Sequence, residues 1–177
     1  VNRRLAQGFS GDVSAHPAAS VTAVVALGAN LGDRAEAMRA AIDELGRLPL
    51  VDDVRSSEAV ESVAVKLDGP DASAPTYLNA VALVTTRLAP TVLLDYLHAI
   101  EARHGRERRE RWGDRTLDLD LIAYGDVRSD DPALLLPHPR AAERDFVLAP
   151  WLSIDPDAVL PGAGRVDALL ARLRSGR

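Results

Sequence analysis

Arg111-Trp112-Gly113-Asp114-Arg115-Thr116-Leu117-Asp118-Leu119-Asp120-Leu121-Ile122 changes character halfway along. A charged, glycine-bearing half runs directly into an alternation of leucine and aspartate. A repeat of two residues is the repeat of a β-strand, whose successive side chains point to opposite faces. Asp118 and Asp120 therefore share one face, and Leu117, Leu119 and Leu121 share the other. Two carboxylates beside a buried leucine row repel each other unless something positive lies between them. The obvious candidates are Mg²⁺ and the arginines just upstream. That is the outline of a metal-nucleotide site carried on a strand.

Working outward from this strand, the chain punctuates itself. Val21 to Leu27 is a β-rich apolar run that predicts a strand buried on both faces. It leads into a turn-forming cluster, Gly28-Ala29-Asn30-Leu31-Gly32-Asp33, in which Asp33 suits the N-cap of a helix. That helix runs from about Arg34 to Arg47, with Ala37, Ala41, Ile42 and Leu45 on one face, and Pro49 ends it. Val51 to Val60 and Tyr77 to Thr86 read as strands, with a mobile loop between them over 66–75. Pro90 suits the first turn of a second helix, which reaches about His104 and stops at Gly105. Arg106 to Asp114 is a charged loop, and Thr116 to Tyr124 is the acidic strand. Residues 125–137 are turn-rich, 138–150 hold a short helix-like turn followed by Phe146-Val147-Leu148, and a last helix spans roughly Val166 to Arg174.

The order β-α-β-β-α-β defines an α+β chain. It predicts a ferredoxin-like βαββαβ core with an antiparallel sheet and extra C-terminal helical segments. Residues 1–21 lack periodicity and read as a flexible N-terminal tail or linker. Residues 22–177 read as a single domain, a size that supports one substantial core.

Composition narrows the function classes. The 177 residues include no cysteine, which excludes disulfides, thiolate metal sites and cysteine catalysis and suits a reducing cytoplasm. Apolar runs are too short to span a bilayer, and no apolar segment follows Arg3 and Arg4 as a secretory signal requires. The formal charge of −5 is unlike that of a general nucleic-acid binder. Expected partners are small molecules, with no nucleic acid and no membrane.

Several residues can carry chemistry. Arg103, Arg106, Arg108, Arg109, Arg111 and Arg115 crowd the approach to the acidic strand, and guanidinium forks suit phosphate oxygens. A solvated, salt-bridged helix end is the plainer reading of the same run. Mg²⁺ needs only one or two protein carboxylates beside water and phosphate, which Asp118 and Asp120 supply. An Asp-Arg ion-pair ladder on a sheet face is the alternative. Asn79 lies inside an apolar strand and must find partners, either a structural one or the edge of a planar heterocycle. Phe146 is a packing or stacking aromatic, Trp112 a core or lid residue, and His138 a phosphate contact or a loop histidine. No P-loop and no dinucleotide fingerprint occurs.

Four stretches stand in one order: Ala-Leu-Gly-Ala-Asn-Leu-Gly-Asp at 26–33, Tyr-Leu-Asn-Ala-Val at 77–81, the quoted segment at 111–122, and Leu-Pro-His-Pro-Arg at 136–140. Together they resemble the 6-hydroxymethyl-7,8-dihydropterin pyrophosphokinases of folate biosynthesis, over about Val24 to Pro161. The resemblance implies transfer of a diphosphate from ATP, the co-substrate, to the pterin hydroxymethyl group, with AMP leaving. It implies two Mg²⁺ ions on Asp118 and Asp120, with Arg106 and Arg115 as catalytic phosphate-gripping residues. It implies a pterin pocket of Gly28, Ala29, Tyr77, Asn79, Trp112 and Phe146. It implies ATP contacts from His98, Glu101, Arg108, Arg111, Arg115, Leu121, His138 and Arg144. His98 stands where some relatives have glutamine. Dihydroneopterin aldolase, as a fusion or pathway neighbour, is the implied partner. A ferredoxin-like RNA-binding module is the competing class. It needs exposed sheet aromatics for base stacking, and aromatic residues are only 4% of the chain.

Overall fold

In the computed structural model, residues 19–62, 65–66, 69–70, 76–105 and 117–176 are described. The arginine-rich stretch 106–116, with Arg106, Arg108, Arg111, Trp112 and Arg115, lies outside the described residues, as do 1–18 and 71–75.

The chain opens with β1 (Val21–Ala29) and α1 (Arg34–Gly46). Asp33 caps α1, its carboxylate accepting from the Glu36 N–H at 3.0 Å. Next come β2 (Val51–Ser56), β3 (Val60–Ser62) and a small hairpin of β4 (Val65–Lys66) and β5 (Gly69–Pro70). Then follow β6 (Tyr77–Thr86), α2 (Pro90–Arg103) and β7 (Asp118–Tyr124). A hairpin of β8 (Ser129–Asp131) and β9 (Leu134–Leu136) precedes a short 3₁₀ turn at Ala141–Glu143 and α3 (Asp145–Ile154). The strand pair β10 (Val159–Leu160) and β11 (Gly164–Arg165) leads into α4 (Val166–Ser175).

The main sheet has the order β2-β6-β1-β7, with β3 also on β6, and every pairing is antiparallel. This is the ferredoxin-like arrangement expected from the order of elements. The expected strand Val51–Val60 is in fact two segments. Ser57 breaks it: its N–H donates to the Val81 carbonyl at 2.9 Å, while its hydroxyl accepts from the Val81 N–H at 3.0 Å. Side-chain oxygen replaces a ladder partner there, and β3 resumes at Val60. The expected loop over 66–75 includes part of the β4–β5 hairpin.

Helices cover both faces of the sheet. Met38, Ala41 and Leu45 of α1 and Leu93, Leu97 and Ile100 of α2 pack on one face with Val25, Leu27, Ala82, Leu119 and Leu121. Val147, Leu148 and Trp151 of α3 and Val166 and Leu170 of α4 pack on the other with Val24, Val81, Leu83 and Ile122. Two-sided burial explains the near-continuous apolar runs in β1 and β6. The same burial carries α3 through Pro150, which sequence reading took as the limit of a short turn. A missing N–H costs that helix one bond, but Trp151 is only 3% exposed and belongs to the core.

A bulge sets the phase of β7. Val24 pairs with Ala123 and Val25 with Leu121, so Ile122 is the extra residue. Without it, Tyr124 would share the face of Asp118 and Asp120. With it, Tyr124 turns into the α1–α2 core, and its buried hydroxyl donates to the Leu88 carbonyl.

Candidate active site

The acidic face begins with strand register. Gly28 of β1 pairs with Asn79 on one side and Asp118 on the other. Directly opposed residues in an antiparallel sheet face the same way. Asn79, Gly28 and Asp118 therefore form one row, and Val81, Ala26 and Asp120 form the next. Gly28 has no side chain, so the row has a gap between a carboxamide and a carboxylate. Gly28 and Ala29 were expected in a turn but are strand residues; the turn is Asn30–Asp33, and Gly32 has the positive φ of 64°. Ala29 points into the α1–α2 core and is fully buried, so only its backbone borders the row.

Asn79 is 5% exposed, and its amide nitrogen donates to Ser62 Oγ at 2.8 Å. Ser62 pairs with Tyr77, so both lie on this face as well. Phe146, in the first turn of α3, packs against the core of the same layer. Arg144 joins the two parts of the site. Its Nη1 donates to Asp120 Oδ2 at 2.8 Å, and its guanidinium carbon lies 5.8 Å from the Phe146 ring centroid.

Because β7 is the sheet edge, residues of both its faces reach a cleft of about 410 Å³. His98, Glu101, Asp118, Asp120, Leu121, His138 and Arg144 all line it, joined by Leu94, Pro132–Leu135, Pro139 and Arg140. Glu101 is 1% exposed, and its Oε1 accepts the Leu119 N–H at 2.9 Å. That N–H therefore points away from β1, and strand alternation turns the Leu121 N–H the same way. The His138 N–H donates to the Ile122 carbonyl at 2.8 Å, which pins the 138–140 turn to β7. Burial lowers the His138 pKa below the usual 6.5; Asp120 opposes this, and Arg144 and Arg140 reinforce it. Its Nδ1 accepts the Arg140 N–H at 3.2 Å, so the neutral ring carries its proton on Nε2.

The structure thus divides the described site residues into two neighbouring sets. One is the sheet-face row of Gly28, Asn79 and Tyr77, with Phe146 of α3 on the same face of the sheet. The other is the cleft, and Asp118 belongs to both. The Asp-Arg pairing weighed as an alternative is present at Asp120. Sequence reading missed Leu94, Arg140 and the Pro132–Leu135 hairpin, while Ser62 belongs to the segment after Val60 that the resemblance placed beside the pterin pocket. Leu94 was findable, since Leu94, His98 and Glu101 share a helix face by spacing. Arg140 stood in a quoted motif without a role, and nothing local in the hairpin signals a ligand wall.

The carboxylate pair of β7 thus stands between an open cleft and the gap over Gly28. The chain belongs to the 7,8-dihydro-6-hydroxymethylpterin-pyrophosphokinase (HPPK) family, whose model matches residues 24–156. It is 44% identical over 147 residues to a 2-amino-4-hydroxy-6-hydroxymethyldihydropteridine pyrophosphokinase of Pseudomonas aeruginosa, covering 83% of this chain and 88% of that one. It is 36% identical over 132 residues to the bifunctional protein FolKE of Lactococcus lactis, covering 73% of this chain and 36% of the relative. The wild-type HPPK-DHPS crystal structure from Plasmodium falciparum superposes with a TM-score of 0.64 at 13% identity. It covers 88% of this chain, which spans only 41% of that longer one. The protein is accordingly a pyrophosphokinase of folate biosynthesis.

Proposed function

We propose that the protein transfers the diphosphate of ATP to the hydroxymethyl oxygen of 6-hydroxymethyl-7,8-dihydropterin and releases AMP. The observation that carries this reading is the Asn79–Gly28–Asp118 row, whose last member also walls the cleft. A planar ring lying over Gly28 has its edge at Asn79 and its substituent directed toward Asp118. A triphosphate in the cleft then meets that substituent at the two aspartates. Proximity of this kind is a large part of what phosphoryl transfer needs, and no dedicated general base is assigned.

The donor set suits Mg²⁺. Among the described residues, no group of three or more His, Asp or Glu side chains forms a cage. Two carboxylates are what a magnesium site shared with phosphate oxygens requires. The cleft lining holds Glu101, Asp118 and Asp120 against Arg140 and Arg144, so a polyphosphate needs added positive charge there. When bound, two Mg²⁺ ions would neutralise triphosphate charge and polarise the reacting phosphorus. Asp118 and Asp120 would hold them, and Arg144 would orient Asp120 through its 2.8 Å bond.

The remaining roles follow the two sets. Asn79, the Gly28–Ala29 backbone, Tyr77 and Phe146 hold the pterin, with Trp112 over it. His98, Glu101 and Leu121 border the nucleotide, and His138 offers a neutral Nε2–H to a phosphate oxygen. Arg106, Arg108, Arg111 and Arg115 supply further positive charge to the triphosphate. Residues 22–177 act as one domain, which limited proteolysis checks. The reaction takes place in the cytoplasm, with dihydroneopterin aldolase as a fused or neighbouring pathway partner. The bifunctional FolKE relative supports such fusion in general, and the coding sequence upstream of residue 1 tests it here.

Incubation with Mg-ATP and the pterin, followed by separation of nucleotides, tests the reading. AMP as the product supports it, whereas ADP or no turnover rejects it.

A further inference from the structure

Behind the β3–β6 end of the ligand row, on the opposite face of the sheet, Arg34 makes three contacts that cross the fold. Its Nη1 donates to the Thr76 carbonyl at 2.5 Å and to Thr76 Oγ1 at 2.9 Å, and its Nη2 donates to Glu61 Oε1 at 2.9 Å. Thr76 Oγ1 also lies 3.5 Å from Glu61 Oε1. Arg34 is the first residue of α1, while Glu61 is in β3 and Thr76 immediately precedes β6. We infer that Arg34 is a positioning residue that holds the pterin-facing wall of the site from behind.

Strand parity places these contacts behind the ligand row. Glu61 pairs with Leu78, and Leu78 packs into the α1–α2 core, so this pair faces the helices. Val60 with Asn79 and Ser62 with Tyr77 face the opposite way, toward the ligand row. The residues that Arg34 grips are therefore chain neighbours of Ser62 and Tyr77, but on the far side of the sheet. Ser62 Oγ in turn takes the Asn79 amide at 2.8 Å, which sets the carboxamide's orientation.

The strand β3 needs such a grip. It has three residues, pairs only with β6 among the described residues, and has Val60 and Glu61 exposed. A three-residue edge pairing is weak by itself. An exposed ion pair alone adds little, but Arg34 is 29% exposed and also satisfies a backbone carbonyl and a hydroxyl. A rigid planar fork holds two chain segments at a fixed separation, whereas an ammonium is a single point of attachment on a flexible stem. Asp33 fixes the start of α1 by its cap, so the fork is held on a rigid element.

The inference rests on the pterin reading, and the test separates the two. Pterin is titrated into wild type, Arg34→Ala, Arg34→Lys and Glu61→Gln with Mg²⁺ and a non-hydrolysable ATP analogue. Nucleotide affinity is measured separately, well below each melting temperature. Arg34→Ala is expected to raise the pterin Kd about tenfold with nucleotide Kd unchanged, and Arg34→Lys to recover part of the loss. Amide exchange over 60–62 and 76–79 is expected to accelerate in Arg34→Ala. Unchanged pterin affinity in a folded Arg34→Ala protein, or equal weakening of both ligands, overturns the positioning role alone. Absence of pterin binding by wild type overturns the functional reading and the role built on it.

Discussion

Gly28→Ala separates the stability of this protein from its activity. Gly28 lies in β1 without a positive φ, so alanine meets no backbone strain there. A Cβ built on it sits 3.7 Å from Asn79 Oδ1, which is ordinary contact. Glycine within a strand costs roughly 0.5–1 kcal/mol relative to alanine through lost chain entropy, so the variant is expected to melt at the same temperature or slightly higher. The ligand is affected in the opposite direction. The new methyl fills the gap between Asn79 and Asp118 and lifts a ring lying over Gly28 by roughly 1.5 Å, one carbon–carbon bond. A misplacement of about 1 Å is sufficient to cost on the order of 100-fold in rate, or about 2.7 kcal/mol of transition-state stabilisation. Thermal melting and kcat/KM for the pterin, measured on one preparation, check both halves. A folded Gly28→Ala enzyme with near-normal kcat/KM would refute the reasoning, because the ring could not then lie over residue 28.

Three further outcomes follow. Asp118→Ala and Asp120→Ala should each lower turnover by roughly 100-fold or more by removing transition-state charge stabilisation; near-normal rates in folded variants would make the carboxylates structural. Tyr124→Phe should destabilise the fold by about 1–3 kcal/mol in urea unfolding, because it orphans the buried Leu88 carbonyl, while leaving pterin affinity alone. His138, whose folded pKa burial lowers below 6.5, contributes stability above that pH that is lost as pH falls through the folded value. In ligand-free protein, the stability of wild type relative to His138→Asn should therefore decline on acidification below about pH 6.5; a pH-independent difference would contradict the burial argument.

Much of the scaffold was legible because its signals are local. Alternation in 117–121, the Asp33 cap, Pro90 and the Gly105 stop each report on their own neighbourhood, and together they order the βαββαβ core. What escaped depends on distant partners. Ser57 looks like any strand serine until Val81 supplies both halves of its interaction. Ile122 is a bulge only by reference to Val24 and Val25, and that bulge sends Tyr124 to the opposite face. Pro150 would end a solvent-exposed helix, but burial against the sheet carries α3 four residues further.

The candidate site divides along the same line. Asp118 and Asp120 could be assigned to one face from spacing alone. That Gly28 separates Asp118 from Asn79 is a fact of register across three strands, which no local pattern encodes. The cleft combines α2, β7, the β8–β9 hairpin and the 138–144 segment. Leu94 follows from helix spacing, whereas Pro132–Leu135 enters only because the hairpin folds back beside the free edge of β7. Arg34 is the same kind of omission. As a first-turn helix residue it suggests nothing, and its importance comes from contacts 27 and 42 residues away.

Diphosphate transfer requires attack at the β-phosphorus, with two phosphates moving together. ATP labelled at the β-phosphate, incubated with enzyme, Mg²⁺ and 6-hydroxymethyl-7,8-dihydropterin, reads this out directly. The label is predicted to appear wholly in the pterin product, with unlabelled AMP released in equal amount. Label recovered in ADP, with a pterin carrying only the terminal phosphate, would contradict the account.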